Sequence, residues 1–423
     1  MAFIWLQNQA NYQRRRKGKY GRKMAAVSPS AALQAPMGTQ RGWGDLPRDL
    51  IERIVNNYLP CGIDRLRVSW INSHWGQSIR DMKLTQLPWM FLPSSSTPMF
   101  FEPVAQCLHK IWLPAELKSG QACGSSGPWV FISIHEPEHQ FLLYNVCNGE
   151  KVDLPVKILD KERLIQDAWF GMAALSRLPS TAGGYMVAAV VRINQSHDFT
   201  IATWEFKEEH WKEIASVEDG VLDILFYQGS FHILTVNEHL IRLVPEGPSY
   251  RVRMSYVEQR LTKHLDDQYE DPEDDTLLRK YLVESITGHL LLAVKFTRDS
   301  WTTVDIQVFR LCVDNAGKAR WAYYTNTAAE MIYLGHASSI SRVSQSEPTI
   351  HFLDDRRVEG DDDSHYNRRD MGGLQPHVLQ VDWFSYRTPK KDSRFSYRAP
   401  DDIGETDVPT PVWCEPLSGG STT

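Results

Sequence analysis

The apolar residues of WGDLPRDLIERIVNNYL recur at steps of three and four. Leu46, Leu50, Ile51, Ile54, Val55 and Tyr58 share one face, which predicts an amphipathic helix. Pro47 suits its first turn, where a missing N–H costs nothing. Asp49 and Glu52 complement the positive end, and Pro60 and Gly62 stop the run. Asp64 is the expected N-cap of a second helical run, DRLRVSWINSHWGQSI, with Leu66, Trp70, Ile71 and Trp75 spaced by four, one and four. A helical unit of about forty residues is near the lower limit for a self-sufficient core, so it is expected to lean on a partner or on the next domain.

After Pro88 the period changes to that of strands. VFISI and FLLYN flank HEPEHQ, MVAAVVRI and FTIATWEF flank NQSHD, ILFY and FHILTV flank QGS, and LLLAVKF and VDIQVFRLCV flank RDSWTT. Each pair reads as a hairpin bounded by turn residues. Successive hairpins without long helices predict an all-β sandwich, barrel or propeller, and the recurrence of GPWVFI, GSFHIL and GHLLLA favours a β-propeller. The expected fold is a small all-α module followed by a large all-β domain. Ring closure is expected to pair late strands with early ones, with TIHFLDD and HVLQVDWFSY as candidates and PVWCEP packing against the closed ring.

Composition narrows the partners. The chain has 423 residues, 42% hydrophobic and 23% charged, as ordinary globular protein does. No stretch approaches the roughly 18 uninterrupted apolar residues of a spanning helix, and no membrane association is expected. The six cysteines (61, 107, 123, 147, 312 and 414) contain no CxxC pair, which favours reduced thiols. Residues 1 to 44 carry eight basic residues and no acid, leaving 38 basic against 52 acidic residues, or -14, for the remainder. That excess argues against broad nucleic-acid affinity of the body. Residues 1 to 42 read as a basic, disordered arm. RRRKGKYGRK within it is compatible with a nuclear import signal, an organelle transit peptide or a plain solvated tail.

Catalytic constellations are thin. HEPEH at 135 to 139 places its histidines four apart, but with a proline between them in a hairpin loop, not on a helical face. GSSG at 124 to 127 is not the GxSxG nucleophile pattern. Asp361, Asp362, Asp363 and His365 lack the alternating spacing of a calcium loop. No cofactor or metal is expected. The 14 tryptophans are expected to pack blades, with Trp169 and Trp301 the ones to inspect for a partner-facing role. The acidic runs DDQYEDPEDD and DDRRVEGDDD read as surface loops.

The helical segment resembles the F-box motif, which opens on Leu-Pro and an amphipathic helix and ends in Val-Cys-x-x-Trp. Leu46 and Pro47 supply the opening, and Ile71, Asn72 and Trp75 occupy the closing positions, with Asn72 in place of the usual Cys. The remainder resembles the plant F-box family with a C-terminal KIB-type β-propeller. LPWMFLP, GSSGPWVFI, YNVCNGEKVDLP, ILFYQGSFHIL, YLVESITGHLLLAV, VDIQVFRL and PVWCEP carry the likeness in order between Trp43 and Pro416.

The resemblance implies an F-box over 43–80, a propeller over 87–390, and a mostly irregular segment over 391–423. It implies a receptor subunit of a Skp-cullin-F-box ubiquitin ligase, not itself an enzyme, located in nucleus or cytoplasm. Leu46, Pro47, Leu50, Ile51, Ile54, Leu66, Ile71 and Trp75 would bind a Skp-type adaptor, and through it cullin and RING subunits, while the propeller holds a target protein. Two other readings stay open: an adaptor-independent protein-binding propeller, and a propeller enzyme or small-molecule sensor with its ligand in the central channel.

Overall fold

The computed structural model describes residues 43–59, 61–69, 71–82, 88–92, 98–102, 107–110, 113–114, 117, 120–134, 139–160, 163–165, 168–179, 184–193, 199–218, 220–246, 249–255, 277–298, 302–324, 330–343, 349–354, 379–385, 391–397 and 412–415. The chain divides into two compact units, one holding the helices and the other nearly all the strands.

In the helical unit a short 3-10 turn, Trp43–Asp45, precedes three helices: α1 (Arg48–Tyr58), α2 (Gly62–Val68) and α3 (Ser73–Asp81). Ile51 and Val55 of α1 meet Trp75 and Ile79 of α3 in a buried core, with Leu46, Ile54, Leu59, Val68 and Met82 packed around it. Pro47 sits at the N-cap of α1, one position earlier than its expected place in the first turn. Its carbonyl accepts the Leu50 and Ile51 N–H groups at 3.0 and 3.1 Å. Asp64 is not an N-cap: α2 already begins at Gly62, after Cys61, and the Asp64 carboxylate instead accepts from Arg67 at 2.8 Å. The single run expected from Asp64 is two helices, because Asn72 leaves helical geometry (φ -162°, ψ 178°) and its side chain caps α3.

The all-β unit is a six-bladed β-propeller. Blade one is built from Trp89–Leu92, Met99–Glu102 and Cys107–Lys110, with Val412–Cys414 as its innermost strand. Blade two holds Gln121–Ser126, Trp129–Ile134, Gln140–Asn145 and Lys151–Leu154; blade three Ala168–Leu175, Met186–Ile193, Phe199–Glu205 and Trp211–Val217, extended outward by the hairpin Ile158–Asp160 and Arg163–Ile165. Blade four holds Val221–Tyr227, Ser230–Thr235, Leu240–Glu246 and Ser249–Ser255, and blade five Leu277–Glu284, Leu290–Arg298, Thr302–Val313 and Ala319–Tyr323. Blade six runs Ile340–Val343, Glu330–Tyr333, Thr349–Asp354, Leu379–Ser385 and Lys391–Tyr397 from inside outward.

Because both faces of each blade are covered by neighbours, the strands read as near-continuous apolar runs and the core is a series of inter-blade seams. Between blades two and three, Phe141 and Phe170 stack at 4.2 Å, and the fully buried Trp211 donates its indole N–H to Pro155 O at 2.6 Å. Burying an aromatic of this size is worth roughly 1.5–3 kcal/mol. Trp169 is half-buried against the seam of blades three and four, while Trp301, all of DDQYEDPEDD, DDRRVEGDDD after Asp354 and most of HEPEH fall outside the described residues.

Ring closure differs from expectation. The closing strand is PVWC itself: Trp89, Met90 and Phe91 pair antiparallel with Cys414, Trp413 and Val412. TIHFLD and LQVDWFS pair with each other inside blade six. Residues 391–423, expected to be mostly irregular, thus contribute both the outer strand of blade six and the inner strand of blade one.

Candidate functional site

The structure splits the eight expected adaptor contacts. Ile51 and Trp75 are buried in the core of the helical unit, and Leu46 and Ile54 are half-buried against it. Pro47, Leu50 and Ile71 are exposed, Ile71 by 53%. Leu66 lies in α2, its side chain outside the described set. Pro47, Leu50, Ile54 and Tyr58 follow one another at three, four and four residues, so they form a stripe along α1 beside the buried Ile51 and Val55. Tyr58 and Trp43, which the expected contact set omitted, are each 75% exposed. The unit therefore fills its core and still leaves apolar side chains at its surface, the condition for a docking face.

Asn72 holds this face together. Its Oδ1 accepts the Trp75 N–H at 2.9 Å, and its Nδ2 donates to Gly44 O at 3.0 Å. The Trp75 indole donates to Trp43 O at 2.9 Å, and His74 Nε2 lies 2.9 Å from Leu46 O. Three side chains from the start of α3 thus tie down the carbonyls of the turn that carries Trp43. A Cys at position 72 offers no comparable pair of bonds; a polar residue three before a helical Trp was the signal for this cap.

In the propeller one turn links several blades. The turn between Tyr333 and Ile340 places Ala337, at φ +45°, against blades two, three and four. Its N–H donates to Asp223 Oδ1 of blade four at 2.7 Å, and its carbonyl accepts from Ser125 N of blade two at 3.0 Å. Asp223 Oδ2 accepts from Leu282 N of blade five at 2.7 Å, and Oδ1 also takes the Ile224 N–H at 2.9 Å. Gly124 completes the junction: a Cβ there would lie 2.4 Å from Ala173 O of blade three, and its φ of +147° suits only glycine. These contacts tie blades two, three and four to the turn from blade six.

The groups with shifted acidity are dispersed and serve the fold. Burial pushes the Asp223 carboxyl up to about 7, with its three backbone N–H bonds pulling the other way. Burial raises Glu330, which accepts from Ile286 N at 2.8 Å and Tyr324 OH at 3.2 Å. Glu238 and Lys280 form a buried pair at 2.6 Å. The Cys123 and Cys147 thiols are pushed up to about 12 by burial, far from nucleophilic thiolates. A depression of about 440 Å³ at the edges of blades two and three, lined by His139, Lys151, Asp153, Lys157 and Glu209 among others, mixes charges, with Lys151 and Asp153 paired at 2.9 Å. None of these gathers an acid, a base and a nucleophile.

The model of the KIB1-4 beta-propeller family matches residues 100–373. The chain belongs to this family. Its match spans strands from all six blades of the KIB1-4 propeller, and the helices and the closing strand lie outside the matched range. No curated protein sequence matches the chain. Among solved structures, the KIB1-4 propeller is similar to TolB from Acinetobacter baumannii at 8% identity over 81% of this chain and 70% of that one, with a TM-score of 0.37. It is similar to a putative 6-phosphogluconolactonase from Bacteroides uniformis at 11% identity over 78% and 100%, TM-score 0.37. The WD40 domain of SCAP from fission yeast matches at 11% identity and TM-score 0.29; 72% of this chain is covered, and the match spans 62% of that chain.

Proposed function

We propose that this protein is the substrate-receptor subunit of a Skp-cullin-F-box ubiquitin ligase, its helical unit docking on a Skp-type adaptor and its KIB-type propeller holding a target protein. One observation carries the reading: a helical unit whose core is already filled by Ile51, Val55, Trp75 and Ile79 still exposes Trp43, Pro47, Leu50, Tyr58 and Ile71. An amphipathic helix offering spaced apolar anchors to a groove is a recurrent mode of protein recognition.

Such a receptor makes no covalent bond. It holds a target lysine beside the reactive thioester carried by the other subunits, so that a bimolecular encounter becomes an intramolecular one. The expected setting is the nucleus or cytoplasm. The alternative, a propeller that binds proteins without an adaptor, keeps its interest because position 72 departs from the motif; the two hydrogen bonds of Asn72 favour the first reading by preserving the turn.

The test is capture of a purified Skp-type adaptor by the full chain and by Leu50→Ala/Tyr58→Ala. Both positions are exposed, Leu50 by 39%, so the fold should survive. Interface-centre truncations cost about 2 kcal/mol or more, and capture should fall at least tenfold. Undiminished capture by the double variant would overturn the interface, and no capture by the unaltered chain would leave the adaptor-independent reading.

A further inference from the structure

Blade four carries an unrelieved line of basic side chains. In its register His232 stands directly opposite Arg242, and Arg242 directly opposite Arg253, so the three project from one face of the sheet across three successive strands. Directly opposed side chains have Cβ atoms about 4.5–5.5 Å apart, and like charges so placed destabilise a sheet. Neither Arg242 nor Arg253 forms an ion pair among the described residues, and the buried Arg242 Nε has no hydrogen-bond partner. His232 is buried, with Nδ1 3.3 Å from Ser230 O, and is pushed down to about 4 by burial and the neighbouring Arg242. It stands in the row as a neutral ring.

The face is identifiable by alternation. Leu234 and Leu240, two positions along from His232 and Arg242, pack against Leu282, Leu292, Phe309 and Trp321 of blade five. On the facing side of blade five, Tyr323 pairs with Phe309 and Val313 with Ala319 at opposite ends of the outer strand pair, and Val313 and Tyr323 are 62% and 59% exposed. The face of blade four that carries the guanidinium groups is therefore the one turned toward blade five, which presents an aliphatic and aromatic surface on that side.

Among the described residues, these acids of the two blades are engaged elsewhere or buried. Asp305, which influences Tyr323, accepts from Ile306 N and from Gln307 Nε2, both at 2.9 Å; Glu238 is paired with Lys280; and Glu284, which influences Tyr227, is raised by burial.

We propose that this face of blade four binds an oxyanion borne by a protein segment, with Arg242 and Arg253 gripping the anion and the exposed Val313 and Tyr323 of blade five receiving the flanking side chains. Two adjacent guanidinium groups match the planar, multi-oxygen geometry of a carboxylate or a phosphate. The net charge of -14 outside the basic first 44 residues opposes a long polyanion and favours a single anionic group presented on a mostly neutral chain. The inference rests on the reading of the propeller as the target-holding domain, but its test uses no adaptor and stands or falls separately from adaptor capture.

The experiment measures binding of the full chain, by fluorescence anisotropy, to three peptides of one sequence that differ at a central position: serine, glutamate or phosphoserine. A tyrosine or leucine stands two residues away in each, and inorganic phosphate serves as competitor. The proposal expects the glutamate or the phosphoserine peptide to bind at least tenfold more tightly than the serine peptide, with the stronger of the two identifying carboxylate or phosphate as the group read. Arg242→Gln/Arg253→Gln should remove that preference, while Arg310→Gln/Arg320→Gln, at exposed arginines elsewhere on blade five, should keep it. If the first double variant does not fold, the exposed Arg253→Gln alone should still reduce the preference at least threefold. Equal binding of all three peptides, an anion preference that survives loss of both arginines, or arginine-dependent binding of single-stranded RNA in place of peptide would each overturn the proposal.

Discussion

Asn72 and Asp223 show how single polar side chains organise units much larger than themselves. Replacing Asn72 by Ala removes the α3 cap and the bond to Gly44, and should lower the stability of the helical unit by about 1–2 kcal/mol. Asn72→Asp should recover the cap but not the Gly44 bond, so urea midpoints should fall in the order Asn, Asp, Ala. Asp223 shares its carboxylate among three backbone N–H groups, two of them from positions 282 and 337. Asp223→Ala orphans all three, at about 1–3 kcal/mol for each buried group left unpaired. Its ionisation also predicts a pH effect. The ordinary carboxyl value is 3.8 and the folded value about 7, so between them the folded chain keeps a proton that the unfolded chain has released. This contribution is fully present below about 4, is lost as pH rises to about 7, and changes no further above it. Wild-type stability relative to Asp223→Asn should therefore drop between about pH 4 and 7 in denaturant titrations and level off above that. The polar residue three before Trp75 was a faint signal for the cap, but a cap depends on where a helix breaks, and Asp223 on backbone partners brought in from distant blades, so neither role was named from the sequence.

Hairpins were the most legible elements. The four pairs read from alternation and turn residues are each paired in the structure: Trp129–Ile134 with Gln140–Asn145, Met186–Ile193 with Phe199–Glu205, Val221–Tyr227 with Ser230–Thr235, and Leu290–Arg298 with Thr302–Val313. Local turns fix such registers, so a single window of sequence contains the information. The closing strand has no such signal: Val412–Cys414 is three residues long and its partner is Trp89–Leu92. Its importance lies in what it touches. Trp413 is fully buried, donates its indole N–H to Leu334 O at 2.9 Å, meets Tyr333 edge-on at 4.9 Å and accepts from the Ser125 hydroxyl, while Glu415 N donates to Gly127 O at 2.8 Å and its carboxylate pairs with Arg342. Trp413→Ala should cost about 3–5 kcal/mol in unfolding free energy. Ending the chain at residue 411 should expose the Trp89–Leu92 edge and give a species that self-associates in size-exclusion chromatography, whereas a monomeric, cooperatively unfolding product would show that closure against Trp89–Leu92 is dispensable.

At the scale of the whole molecule, the division into a helical end and an all-β body was plain from the switch in hydrophobic period near Pro88, and the surface of the helical unit was half legible: periodicity named the apolar positions but could not sort Ile51 and Trp75, which fill the core, from Leu50 and Ile71, which do not. The division predicts separable activities. A chain lacking residues 1–80 should retain target binding and lose adaptor capture in pull-downs, and loss of both would place target contacts in the helical unit. The closing strand has a further consequence in time. Cys414 pairs with Trp89, 325 positions earlier. At roughly 5–20 residues per second a ribosome needs roughly 16–65 s to add the residues between them. Throughout that interval blade one of every nascent copy waits with an unpaired inner edge, so the ring closes only after nearly the whole propeller has been made, and any chain released without Val412–Cys414 keeps that edge open.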